Sequence, residues 1–394
     1  MSTDPVVIAS YARTPMGGFQ GSLTGVTSPE LGSVAVKAAV ERAGIDPNAI
    51  ERIYMGCVLP AGLGQAPARQ AALGAGLPQS VEATTINKMC GSGMQAAIMA
   101  YDALAAGSID VAVAGGMESM TNAPYALPKH RMGARMGHDT IIDTMMMDGL
   151  EDAYDRGKAM GVFAEDAVRD YQFTREDQDT YALRSLSRAV EAIANGAFTR
   201  EITPVTVKGK KGDTLVEIDE QPGNAKPDKI PGLKPAFVKD GTVTAANASS
   251  ISDGAAALVM TRQSVAEKLG LPIVAKVVAT SGHAHEPAKF TSAPVPAIQK
   301  LLAKAGWTID DVDLFEVNEA FAVVAMIAMK ELNIPADKIN VNGGATALGH
   351  PIGASGARIM ATLLGALENR GLKRGVASLC IGGGEATAVA VELV

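Results

Sequence analysis

A unit of helix, glycine stop, acidic turn and strand occurs twice in this chain, and that repetition constrains its fold more than any other feature. Ala38-Ala39-Val40-Glu41-Arg42-Ala43-Gly44-Ile45-Asp46, followed by Ile50-Glu51-Arg52-Ile53-Tyr54, matches Leu301 to Gly306 followed by Val312-Asp313-Leu314-Phe315 without a gap. A second unit of glycines, helix, glycine stop, strand and Gly-Gly runs from Gly91 to Gly116. It recurs from Gly353 to Gly384, with Gly356, Gly371 and Gly382 at the corresponding joints. One such match in an alanine-rich chain is easily chance; two in the same order are not. The expectation is an α/β protein of two similar halves packed together, with crossover connections between strands. Length agrees, because 394 residues exceed what one hydrophobic core usually organises.

Read in order, Val6 to Ala9 is a buried strand, Pro29 to Ala43 a helix stopped by Gly44, and Ile53 to Val58 the next strand. A short helix near Pro67 to Leu73 leads to a turn at Cys90. The helix beyond it, about Met94 to Ala106, stops at Gly107 and feeds a strand Val111 to Ala114 that precedes Gly115-Gly116. From about Met117 to Asn247 the rhythm weakens. One long helix, about Glu176 to Asn195, stands out there, and Val207 to Lys239 reads as exposed loops and a hairpin. Loops of this length are usually functional, so the stretch is expected to be an insertion lying over a site.

Several function classes are disfavoured at once. No apolar run approaches the roughly 18 residues of a membrane span. Met1-Ser2-Thr3-Asp4-Pro5 shows no basic and apolar leader pattern, so a cytoplasmic protein is expected. A net charge of −7 argues against general nucleic-acid binding. Cys57, Cys90 and Cys380 are too few and too widely spaced for a disulfide framework or a zinc site, and His283 and His285 lack a carboxylate cluster that would make them a metal pair.

The candidate chemistry lies at the glycine turns. Cys90 stands just ahead of a helix N-terminus, where the macrodipole and backbone N–H groups favour a thiolate; alternatively it is a small buried hydrophobe. The second half carries Asn342-Gly343-Gly344 through Gly349-His350-Pro351 before its own helix, so the repeat would turn Cys90 and His350 toward each other. An imidazole with an ordinary pKa near 6.5 can take a thiol proton; the other reading is a packed loop histidine. Cys380, before Ile381-Gly382-Gly383-Gly384, is either an acid/base thiol near the same joint or a buried strand residue. Asn318, at the repeat position of Gly56, could hold a water or polarise an oxygen, or simply cap a helix.

Taken together, these residues resemble the thiolase family along the whole chain. The nucleophile motif is matched by Asn87-Lys88-Met89-Cys90-Gly91-Ser92-Gly93 and the amide motif by Asn318-Glu319-Ala320-Phe321. The histidine motif is matched by Asn342-Gly343-Gly344 and Gly349-His350-Pro351-Ile352-Gly353-Ala354-Ser355-Gly356, the second-cysteine motif by Cys380-Ile381-Gly382-Gly383-Gly384. The resemblance implies a five-layer α/β/α/β/α fold. Residues 1–120 with 248–272 would form one half, 273–394 the other, and 121–247 a loop domain. It implies acetyl-CoA C-acetyltransferase activity, joining two acetyl-CoA into acetoacetyl-CoA and CoA, and the reverse thiolysis. His350 would take the proton of Cys90, whose thiolate becomes acylated, and Cys380 would deprotonate the second acetyl-CoA. The enolate oxygen would meet His350 and a water on Asn318, and the N–H groups of Cys90 and Gly382 would form a second oxyanion hole worth about 3 kcal/mol per donor.

The same resemblance places CoA contacts at Leu150, Met160, Lys234 and Ser249, with Ala320 and Phe321 along the pantetheine path. Phe290 stands where many members have methionine, Lys234 where many have arginine, and Ala159 rather than histidine precedes Met160. No permanently bound cofactor or metal is implied, only CoA thioesters as substrates. A homotetramer, a dimer of dimers, is expected from the loop near Met120 to Met136. A broader-chain 3-ketoacyl-CoA thiolase of fatty-acid β-oxidation is the alternative enzyme. A non-catalytic acyl-CoA binding protein is the alternative from another class, although such a protein would be expected to lose Cys90, His350 or Cys380. A carrier-protein condensing enzyme would need a second histidine at the Cys380 turn.

Overall fold

The computed structural model describes residues 4–394. The leader reading of the N-terminus therefore falls largely outside the described residues. Nine strands form one continuous sheet: β1 (Val6–Arg13), β2 (Arg52–Gly56), β3 (Glu82–Ile86), β4 (Val111–Ser119), β5 (Ser252–Arg262), β6 (Ala275–Ala284), β7 (Leu314–Val317), β8 (Arg374–Ile381) and β9 (Glu385–Leu393). Their order is β7-β8-β9-β6-β1-β5-β4-β2-β3, with Gly17–Gly18 as a short extra strand on β5.

The order contains the repeat. In the first half β2 lies parallel to β4, which runs antiparallel to β5, which runs antiparallel to β1. In the second half β7, β8, β9 and β6 repeat these relations. Even β3, parallel to β2 at the first edge, has a remnant counterpart in the parallel bridge between Phe315 and Ile339. The registers match as well: Glu51 N–H donates to Val111 O, and Asp313 N–H donates to Arg374 O. Val7↔Lys276 and Ile8↔Ala275, with Val274 N–H donating to Ile8 O, join the two halves edge to edge.

Alternation along the strands sorts side chains into three cores. On β5, Ala255, Ala257 and Val259 face outward against α1 (Ser28–Ala43), while Ala256, Leu258 and Met260 face inward. On β8, Val376 and Cys380 face outward with α5 (Pro294–Ala305) and α6 (Ala322–Leu332), while Ala377 and Leu379 face inward. The inner faces enclose α2 (Ser92–Ala105) and α7 (Ser355–Arg370). The layers are thus helix, sheet, helices, sheet, helices. Glycine stops end the repeated helices because the chain reverses there in the left-handed region: Gly44 at φ 64°, Gly306 at 70° and Gly371 at 63°.

Between β4 and β5 the insertion carries the hairpin Val205–Val207/Thr214–Val216, α3 (Met160–Tyr171) and α4 (Arg175–Ala194). A capping box of Thr174 and Asp177 starts α4. Its Tyr181 and Ser185 hydroxyls reach the fully buried Glu319 at 2.9 and 2.7 Å, and Asn340 Nδ2 and Thr346 Oγ1 donate to the same carboxylate. The insertion is thereby fastened to the turn that precedes His350.

One expectation is corrected. The strand from Val111 does not stop before Gly115-Gly116 but runs through them to Ser119. The glycines are there for clearance. A Cβ on Gly116 would collide with the Gly353 carbonyl oxygen, and one on Gly93 would lie 2.8 Å from Ala357 N. Gly116→Ala is expected to destabilise the fold by about 1–3 kcal/mol through overpacking. Gly223→Ala, where a Cβ meets nothing within 4 Å, should leave stability unchanged or slightly raised; urea unfolding of both variants measures the contrast.

Candidate active site

Cys90 sits at the corner between β3 and α2, and local polar groups shape that corner. Asn87 Oδ1 accepts Met89 N–H at 3.0 Å, while Ser92 Oγ accepts Lys88 N–H at 2.8 Å and donates to Met89 O at 2.6 Å. The result bends Met89 to φ 46°, a conformation rare for a side chain of this kind and typical of constrained functional turns. Cys90 is half-buried, with Gly91 as the helix cap after it. Two backbone N–H groups point at its sulfur, its own and that of Gly382 from the other half. Gly382 keeps room for this approach; the nearest atom to a Cβ there would be Met160 Sδ, at 3.5 Å.

The thiolate expectation is corrected here. Burial pushes the Cys90 thiol up to about 11, against the two N–H groups, and the Glu118 carboxylate adds to the rise. Low dielectric penalises the charged form more than two amide dipoles favour it. At neutral pH the resting group is a thiol that needs a base.

His350 has the properties of that base. Burial, helped by Arg358, pushes its imidazole down to about 3, so it stays neutral. Nδ1 lies 2.5 Å from Ser355 Oγ, and that hydroxyl donates its single proton to Pro351 O at 2.9 Å. Nδ1 must then be the donor, and Nε2 carries the free lone pair. Nε2 is buried and has no hydrogen-bond partner among the described residues.

Asn318 directly follows β7, while Phe321 caps α6, which removes the helix-cap reading. Its Nδ2 lies 3.5 Å from His350 Nδ1, and its Oδ1 faces Arg358 Nη2 at 3.4 Å. Arg358 is fully buried on α7, its Nη1 3.8 Å from Glu316 Oε2, and neither Nε nor Nη1 makes a hydrogen bond among the described residues. Burial pushes Glu316 up to about 8 despite that guanidinium. Arg358 therefore orients the Asn318 amide and opposes a second positive charge on His350.

Cys380 is buried on β8, and burial, with the charge of a Cys90 thiolate, raises its thiol well above the ordinary value. It shares a core with Phe290, Ala320 and Phe321, and Met160 packs against that cluster. Phe290 and Phe321 rings meet edge-on at 6.4 Å, and Phe237 meets Phe321 at 5.9 Å. Ser249 N–H and Oγ both donate to Ala320 O, at 3.0 and 2.9 Å. Leu150 packs with Met89 and Cys90 around Val58, Leu59 and Ile352. Lys234 is exposed on the loop after Pro227–Gly232. His283 pairs with Lys300, and no group of three metal-ligating side chains occurs among the described residues.

Sequence reasoning missed Ser355, Arg358, Glu118 and Phe237. Ser355 is one helical turn beyond Pro351 and Arg358 one turn further, so a polar stripe at helical spacing on an otherwise apolar α7 was the available signal. Ser355→Ala removes the acceptor that fixes the His350 tautomer. It is expected to lower acyl transfer on the order of 10²-fold with the fold kept, measured by isotope exchange between CoA and a thioester alongside circular dichroism.

Comparison with known proteins agrees with this geometry. Profiles of the thiolase N-terminal and C-terminal domains match residues 6–264 and 271–393. Acetyl-CoA acetyltransferase 2 of Arabidopsis thaliana is 51% identical over 391 residues, spanning 98% of this chain and 97% of that protein. The acetyl-CoA acetyltransferase of Cupriavidus necator is 49% identical over 389 residues, with 98% and 99% covered. The crystal structure of the Bacillus anthracis acetyl-CoA acetyltransferase superposes with a TM-score of 0.96 at 42% identity over 99% of both chains. The Acat5 thiolase of Ascaris suum in complex with coenzyme A gives 0.93 at 42% identity, over 99% of this chain and 100% of that one. With sequence and fold in agreement over nearly the full length, this chain belongs to the thiolase family.

Proposed function

We propose that the protein is an acetyl-CoA C-acetyltransferase working by a ping-pong route through acyl-Cys90. The observation that carries this reading is the convergence of the Cys90 and Gly382 N–H groups on the Cys90 sulfur, across the seam between the halves. The relatives named acetyl-CoA acetyltransferase support the choice of substrate.

In this reading His350 Nε2 takes the Cys90 proton as sulfur attacks the thioester carbon of acetyl-CoA. The carbonyl oxygen, now negative, moves into the two N–H groups. The bond to the CoA sulfur breaks, and CoA leaves with the proton from His350. Cys380 passes its own proton to His350 and, as a thiolate, removes a methyl proton from a second acetyl-CoA, whose enolate oxygen accepts hydrogen bonds from the His350 Nε2–H and a water held by Asn318. The carbanion attacks the acyl carbon, the bond to Cys90 sulfur breaks, and the freed Cys90 thiolate takes the proton back from His350. Leu150, Met160, Lys234, Ser249, Ala320 and Phe321 would hold CoA. Phe290, beside Phe321 and the Cys380 thiol, would limit the acyl chain.

The remaining assignments belong to the same proposal. Residues 121–247 are the loop domain, inserted into a first half of 1–120 and 248–272 that packs on 273–394. Exposed Tyr125, Leu127, Met132, Met136 and Ile141 support a homotetramer, since so many apolar side chains in one loop favour a covered surface. A cytoplasmic location is supported by a relative from Gibberella zeae whose name describes it as cytosolic, and a role in acetyl-CoA and fatty-acid metabolism belongs to the same reading. The described residues include no helix long and apolar enough to cross a membrane.

Cys380→Ala is expected to keep exchange of CoA with acetyl-CoA and to lose condensation by at least about 10²-fold, the scale of a removed acid/base group. Thiolysis of a four-carbon 3-ketoacyl-CoA should exceed that of an eight-carbon one at least tenfold. Comparable rates would favour the broader-chain enzyme.

A further inference from the structure

Glu118, near the end of β4, is fully buried and makes no ion pair among the described residues. Its Oε2 accepts Val58 N–H at 2.9 Å and Gly353 N–H at 2.8 Å, and its Oε1 accepts Leu59 N–H at 3.2 Å. The Cys57 thiol lies 3.7 Å from Oε1. Three backbone donors from two halves of the molecule thus converge on one carboxylate. Val58 and Leu59 wall the cluster that holds Met89 and Cys90, and Gly353 is three residues beyond His350. The fit is tight, because a Cβ on Gly353 would lie 2.5 Å from Glu118 Oε2.

An apolar residue here would leave three buried backbone N–H groups without an acceptor, so the carboxylate is what lets the two halves close at this point. We propose that Glu118 is a positioning residue for acyl transfer, tying the wall beside Cys90 to the turn that carries His350 and placing an anion in that wall. This rests on the reading of Cys90 as the acyl carrier. A thiol at rest is protected from adventitious alkylation and oxidation, and deprotonation is deferred until His350 takes the proton during attack.

The charged and titratable groups around the pair come from each packed element: Cys57 from the end of β2, Cys380 from β8, His350 from the facing turn and Arg358 from α7. The two other thiols are raised by burial, His350 is neutral, and Arg358 is turned to Glu316 and Asn318. Glu118 is the anion that acts on Cys90. Burial pushes Glu118 itself up to about 7, against its backbone donors, so its charge is filled in as pH rises through neutrality. Its hold on the thiol therefore strengthens from mildly acidic to mildly alkaline pH.

The test follows iodoacetamide alkylation of Cys90 against pH, read on the Cys90 peptide by mass spectrometry, together with exchange of CoA and acetyl-CoA. Glu118→Gln is expected to move the alkylation profile to lower pH and to reduce exchange on the order of 10²-fold. Glu118→Asp keeps the charge but retracts it from the donors; its alkylation profile should stay near that of the parent while exchange falls. An unmoved or upward-shifted profile in Glu118→Gln, or full exchange in either variant, overturns the proposal. If Glu118→Gln does not fold, the Asp variant decides by its exchange rate. Failure of the acyl-carrier reading is seen separately, as absence of an acetylated Cys90 peptide in the parent protein.

Discussion

Backbone touches backbone where the two halves meet, and the site depends on that contact. Gly56, Gly93 and Gly116 from the first half lie against Gly353 and its neighbours from the second. Side chains at these positions would separate α2 from α7, and with them the Cys90 turn from the His350 turn. Protein interiors tolerate little added volume, so the closeness of two pseudo-symmetric helices fixes where a thiol, an imidazole and two amide dipoles stand. Gly382 extends the logic to a fourth element by bringing its N–H to the Cys90 sulfur.

The second theme is charge kept out of the resting centre. Burial holds Cys90 and Cys380 as thiols and His350 as a neutral imidazole. Two buried carboxylates stand just outside, Glu118 on backbone donors and Glu316 near Arg358. Neutral groups beside fixed dipoles suit a reaction whose charge appears only in passing, because preorganised donors then act on the transition state rather than on the ground state. The linkage carries a stability consequence. His350 resists protonation down to about 3, whereas unfolded histidine titrates near 6.5, so below that value the unfolded chain binds more protons and this site lowers stability as pH falls. Glu118 works in the opposite sense between its folded value of about 7 and the ordinary range near 4.3.

Much of this was legible in the sequence, because it depends on spacing. Helix periodicity and glycine stops located α1, α2, α5 and α7, and the repeat gave the pairing of the halves before any strand was placed. What stayed hidden depends on three-dimensional juxtaposition. Gly115-Gly116 looked like a strand end, since glycine in a sequence does not say whether it turns the chain or clears space for another backbone. Cys90 looked like a thiolate because a helix end is visible in sequence and desolvation is not. Ser355 and Arg358 sit on a helix whose buried face is otherwise small and apolar, and Glu118 reads as an ordinary charged residue after a strand until Val58, Leu59 and Gly353 are seen around it. Phe237 lies on a loop of the insertion, where no period marks it.

The account stands or falls on which sulfur carries the acyl group. Enzyme mixed with acetyl-CoA in the absence of CoA, quenched in acid and digested, should show one acetyl group on the peptide containing Cys90 and none on that containing Cys380, and the label should leave when CoA is added back. An acetyl group on Cys380, or no covalent adduct while exchange proceeds, would contradict it.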